Sequence, residues 1–163
     1  MTDSADPMRT AIAYHQAGVV VAATFLGIPF ESVSLDDGTM MGDGRMSGLV
    51  DFGDLAKALG EHRDSIRTMR SMLVMNRAGV LSEERSPVGK LTDPSALNND
   101  WFFKMVFAMY PETGKRHAAD LNRQALRLVD RYQRAIALVV EGMMTKGTMS
   151  AAEVRKIMGV DKP

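Results

Sequence analysis

The stretch from Asp6 to Gly27 constrains the fold more than any other in the chain. Asp6 followed by Pro7 reads as an N-cap with proline at the first helical position, and Gly27 reads as the stop. Between them Ile12, Val19, Ala22, Ala23 and Leu26 share one face of a helix, and Ala13, Val20, Val21 and Phe25 cover much of the rest. A helix that is apolar nearly all round must be enclosed by other elements. The chain is therefore expected to wrap its remaining segments around this first helix.

Those segments read as mainly helical with a small sheet, an α+β arrangement. Phe30–Leu35 alternates with period two and predicts a strand. Residues 36–44, with three glycines, read as a loop, and Arg45–Val50 as a returning strand. Residues 54–85 have a helical pattern broken near Gly60, with Leu55, Leu59, Ile66, Met69, Met72, Leu73 and Met75 as apolar positions. Ser86–Pro94 reads as a loop. A further helix begins near Asp93 or Asn98 and ends before Pro111. The clearest helix is about Lys115–Lys146, whose stripe runs through Ala118, Leu121, Ala125, Leu128, Tyr132, Ala135, Val139 and Met143. Ser150-Ala-Ala-Glu153 has the form of a capping box opening a last short helix. With 163 residues, 45% of them hydrophobic, the chain is expected to form one domain with a core at about 8–160.

Composition removes several classes of function. Lys plus Arg and Asp plus Glu are 20 each, so the formal net charge is zero and no electrostatic footprint for nucleic acid is expected. There is no cysteine, hence no thiolate metal site, disulfide or cysteine nucleophile. Val19–Ile28 is too short to span a membrane, and the polar, acidic start is unlike a signal peptide, so a cytoplasmic location without membrane insertion is expected. The glycines and aspartates of 36–44 lack EF-hand spacing, no Gly-x-Ser-x-Gly elbow occurs, and Gly89-Lys90 and Gly114-Lys115 lack the phosphate-loop frame. The 14 methionines read mainly as core filling.

The chemistry-bearing segment is His15-Gln16-Ala17-Gly18-Val19. An intact His-Glu-x-x-His helix presents two imidazoles one turn apart to Zn²⁺, with the Glu activating a metal-bound water. Here Gln16 stands where the general base would be and Val19 where the second imidazole would be. An amide cannot accept the proton of a water near neutral pH, and an isopropyl group cannot ligate a metal. His62, in a polar stretch, and His117 read as surface histidines. Trp101-Phe102-Phe103 followed by Met105, Val106 and Phe107 is a dense apolar run, read as core with a surplus available to an interface.

With its following strand, the His15 helix resembles the start of the peptidase domain of FtsH-type ATP-dependent zinc metallopeptidases. Three later stretches extend the resemblance. Arg77-Ala-Gly-Val-Leu-Ser-Glu-Glu84 is similar to the family's Ala-Gly-Arg-Ala-Ala-Glu segment, keeping Ala78, Gly79 and Glu83. Leu97-Asn-Asn-Asp-Trp101 is similar to the stretch that supplies the third zinc ligand, which places that role at Asp100. Lys146-Gly-Thr-Met-Ser-Ala-Ala-Glu-Val154 is similar to the closing segment. The resemblance implies remnant metal positions at His15 and Asp100, a lost one at Val19, and Glu83 as a spare carboxylate near the metal helix. It implies an FtsH-peptidase-like domain without catalytic zinc or any other cofactor, acting in binding or regulation on a protein or peptide partner held along the edge of the strand after the first helix. One alternative is a metallopeptidase with a nonstandard zinc site. The other is a structural subunit that self-associates, as a homo-oligomer, since the family's peptidase domains form rings. Neither the membrane helices nor the ATPase of full family members lies within these residues.

Overall fold

Ten of the first helix's residues are buried because the rest of the chain folds around it. The computed structural model describes residues 6–35, 49–62, 65–89 and 99–160. Helix α1 is Pro7–Leu26, with the Asp6 carboxylate accepting from the Met8 amide and Gly27 closing the helix at φ 72°. From Ala11 to Ala23 only Ile12, Tyr14 and Gln16 are not fully buried. The five alanines and Gly18 of α1 let neighbouring helices approach its backbone closely.

Strand β1 (Ser32–Ser34) follows, and β2 (Leu49–Asp51) returns beside it. Helix α2 (Leu55–Leu59) and a single 3₁₀ turn (Gly60–His62) lead to α3 (Ile66–Glu84), capped by Ser65. The expected break near Gly60 is present, at φ 56°. Helix α4 is Asn99–Met109, α5 Gly114–Arg131, α6 Gln133–Lys146. Strand β3 (Thr148–Ser150) and α7 (Ala151–Met158) close the chain. The fold is mainly helical with one small antiparallel sheet. The loop expected at 36–44, the first residues of the returning strand, the second half of the 86–94 loop and the helix start near Asp93 or Asn98 lie outside the described residues.

The sheet order is β2-β1-β3, both pairings antiparallel, with Val33 opposite Val50 on one side and Met149 on the other. Met149 packs on Gly142 of α6, where a β-carbon would come within 2.4 Å of its sulfur. Helix α1 makes its broadest contact with α3 and its next with α6. Val20, Val21, Leu73, Val106, Leu121, Val139 and Val154 bring α1, α3, α4, α5, α6 and α7 into the core. Each such aliphatic side chain contributes about 1.5–3 kcal/mol by leaving water.

Two expectations differ from the structure. The long helix is two, α5 and α6, meeting at Tyr132 with φ −107° and ψ 19°. Backbone bonds from Tyr132 N to Leu128 O and Ile136 N to Tyr132 O carry on across the bend, so the apolar stripe continues without interruption. The Tyr132 ring lies 5.4 Å from that of Phe25 at the end of α1, and the bend falls at this contact. Ile66, the first residue of α3, is 63% exposed although its residue type reads as core.

The capping box of α7 forms as expected. Lys146 donates to the Glu153 carboxylate at 2.6 Å and the Ser150 amide donates to it at 2.8 Å. These bonds, the lysine's first, hold the Glu153 carboxyl below its ordinary 4.5, at about 2. A depressed folded pKa means that the stabilisation is complete above the unfolded value and lost as pH falls through the folded one. The protection of α7 amides, relative to their intrinsic exchange rates, is therefore expected to fall between pH 4.5 and about 2. Glu153→Gln should abolish that acid-dependent component, and an unchanged pH profile in the variant would contradict the assignment.

Candidate functional site

His15 and Glu83 meet at the α1–α3 contact. His15 sits in the middle of α1, 6% exposed, and Glu83 near the end of α3 is fully buried. His15 Nδ1 lies 3.3 Å from Glu83 Oε2. The two are 68 residues apart in sequence, so only helix packing brings them together. A buried carboxylate is costly unless paired, and the imidazole supplies one of its partners.

Small residues make this approach possible. A β-carbon on Gly79 would lie 2.6 Å from Val19 Cγ2, 3.1 Å from His15 Nε2 and 3.1 Å from the His15 carbonyl oxygen. A β-carbon on Gly18 would lie 2.3 Å from Ser82 Oγ and 2.7 Å from the Ala78 carbonyl oxygen. The Ser82 hydroxyl, buried here, donates to that same carbonyl at 2.7 Å. Gly18, Val19, Ala78, Gly79 and Ser82 thus form a close seam between the helices, with the His15–Glu83 pair beside it.

His15 and Val19 both face α3 at Gly79, and Val19 is buried as an apolar packing residue. Gln16 is half-buried on α1. Asp100 lies in the first turn of α4, and its side chain is outside the described residues. Glu83 is the carboxylate that reaches His15. A zinc ion needs about 2.0–2.1 Å to each imidazole nitrogen and three protein ligands in a catalytic site. Here Val19 offers no donor at the second position, Nε2 lies against Gly79, and among the described residues, which leave out the Asp100 side chain, no three His, Asp or Glu side chains converge. With Val19 in place of an imidazole, the described part of the site does not fit a catalytic zinc.

The expected peptide-binding edge is also closed. Strand β1 is the middle strand, paired along both sides. Glu31 donates to Asp51 O at 2.7 Å, Leu35 donates to Gly147 O at 2.9 Å, and Glu31 O accepts from Ala151 at 2.8 Å. β-Augmentation at β1 therefore has no unpaired backbone to use. The reason is β3, three residues whose pairing cannot be read from their local sequence.

His62 is exposed, as expected of a surface histidine. His117 belongs to a cluster that sequence reading missed. Its ring stacks on Tyr110 with centroids 3.7 Å apart. Arg70 Nη1 donates to His117 Nδ1 at 3.1 Å and to the Tyr110 hydroxyl at 3.2 Å. Donation to Nδ1 requires that nitrogen to be unprotonated. The partners come from α3 and from either side of the α4–α5 connection, separations of 40 and 47 residues that leave no local signal. Nearby, Arg77 Nε donates to Asn122 Oδ1 at 2.7 Å between α3 and α5. Burial lowers the Arg77 pKa, and Glu84 opposes that shift.

The apolar run on α4 divides. Phe102 and Val106 are core residues, while Phe103 and Phe107, one turn apart, are 44% and 41% exposed. Phe107 lies over Gly114, whose β-carbon would collide with the ring at 2.4 Å. The Trp101 side chain is outside the described residues. No helix among the described residues is long and apolar enough to cross a membrane. The chain matches no protein-family model, and no curated protein is significantly similar to it in sequence.

Proposed function

We propose that this chain is an FtsH-peptidase-like domain that binds or regulates a protein or peptide partner and does not hydrolyse peptides with zinc. The observation that carries the reading is the seam at the motif helix. Val19 fills the place of the second imidazole with packing, and His15 Nε2 lies against Gly79 of α3. The resemblance itself is supported by which segments meet. Ala78, Gly79 and Glu83, the residues kept from the family's second stretch, are those that pack beside the His15 helix. With zinc supplied, the purified chain is expected to leave unfolded casein intact. Turnover that disappears in both His15→Ala and Asp100→Asn would establish the alternative, a metallopeptidase with a nonstandard ligand set.

Self-association is the second reading, favoured by Phe103 and Phe107 standing one turn apart on the outer face of α4. Closed two-fold dimers are the commonest oligomers. Sedimentation at micromolar concentration is expected to give a dimer that Phe103→Glu converts to monomer. A monomeric wild type at all concentrations would remove this reading. The absence of cysteine is consistent with a reducing, cytoplasmic setting.

A further inference from the structure

A groove crosses the C-terminal end of α1. One part, about 570 Å³, is lined by residues including Phe25, Leu26, Ile66, Arg67, Arg70 and Gln124. A second part, about 520 Å³, shares Leu26, Arg67 and Ser71 with it and continues past Pro29 toward Leu59 and His62. The apolar groups at the first part are exposed to a degree unusual for their type. Phe25 is 48% and Ile66 63% exposed.

Among the described residues, the charge lining the groove has one sign. Arg67 and Arg70, three residues apart on α3, line the same wall. Arg131 stands over the Phe25 ring at 5.8 Å and over Tyr132 at 5.3 Å. No carboxylate lines either part among the described residues. Asp130, beside Arg131 in sequence, is turned to Arg85. Arg70 is held in place by its bonds to Tyr110 and His117 and by the Tyr110 ring 5.8 Å from its guanidinium carbon. A guanidinium fixed in advance loses less conformational freedom when it takes a carboxylate.

We infer that this groove docks a protein segment in which acidic side chains alternate with large apolar ones, the apolar groups covering Phe25 and Ile66 and the carboxylates pairing with Arg67 and Arg70. Two separate guanidiniums on one wall call for two carboxylates, which favours an internal acidic segment over a single chain terminus. The inference names the partner class for the binding reading above and rests on it.

The test is fluorescence anisotropy with the full chain and a short fluorescein-labelled peptide of alternating Glu-Phe and Glu-Leu pairs. Its comparators replace every Glu by Lys, or every apolar residue by Ser, and an oligothymidylate of similar length serves as a third. The Glu peptide is expected to bind at least about tenfold more tightly than each comparator, with an affinity that falls as salt rises. Arg67→Glu, at an exposed position, should weaken the Glu peptide about tenfold and strengthen the Lys peptide. Ile66→Asp should weaken the Glu peptide, and Lys156→Glu on α7 should leave it unchanged. Equal binding of the Glu and Lys peptides, or wild-type affinity in Arg67→Glu, would overturn this assignment while leaving the non-hydrolytic reading intact. Tighter binding of the oligothymidylate would overturn it in favour of a nucleic-acid surface. Casein turnover dependent on His15 would instead overturn the reading on which it rests.

Discussion

Glu83→Ala is expected to destabilise the protein by about 2–5 kcal/mol, the cost of leaving a buried imidazole without its partner and a gap behind. Glu83 is fully buried and His15 nearly so, with Nδ1 and Oε2 3.3 Å apart. Removing the carboxylate strands the imidazole between two helices where water does not reach. Domains are stable by about 5–15 kcal/mol in total, so this variant should melt well below wild type. Glu83→Gln keeps the shape and can still hydrogen-bond a neutral imidazole, so it should cost much less. Chemical denaturation of the two variants checks the ordering. If Glu83→Ala is as stable as wild type, the pair is not a structural element, and a functional role for Glu83 gains ground.

The second large effect is expected at Gly18. A methyl group there meets Ser82 Oγ at 2.3 Å and the Ala78 carbonyl oxygen at 2.7 Å. The serine could yield, but the carbonyl belongs to the α3 backbone, and moving it means moving the helix. Gly18→Ala gains about 1 kcal/mol in helix propensity. Overpacking of a close contact costs about 1–3 kcal/mol, and more where backbone must shift. The net result should be a destabilised protein, and Gly18→Leu should fail to fold. Adding Ser82→Gly to Gly18→Ala relieves the contact with the hydroxyl and should recover part of the loss. A Gly18→Ala protein more stable than wild type would mean that α1 and α3 are further apart than the geometry requires.

Much of the fold can be read locally because its signals are local. Asp6, Pro7 and Gly27 bound α1 through their own backbone preferences, and Ser150 and Glu153 cap α7 through side chains three residues apart. The stripe from Ala118 to Met143 is a matter of helical periodicity, and apart from half-buried Tyr132 its members are all buried. Other features depend on residues far apart in the chain. The bend at Tyr132 has no glycine or proline to announce it and falls where the ring meets Phe25 from α1. β1 reads as an edge strand until β3, more than a hundred residues later, pairs with it. At the site, the replacement of the motif's Glu by Gln16 and of its second His by Val19 was legible, and so was Glu83 as the nearby carboxylate. The pairing of Glu83 with His15, the seam at Gly18 and Gly79, and the Arg70–Tyr110–His117 cluster are products of helix packing.

We propose that the His15 helix packs on α3 through Gly18 and Val19 in place of holding a zinc ion. Elemental analysis of protein purified without chelator or affinity-tag metal tests it most directly. The expected result is no stoichiometric zinc in wild type and no difference in metal content between wild type and His15→Ala. Close to one zinc per chain, lost on His15→Ala, would contradict it.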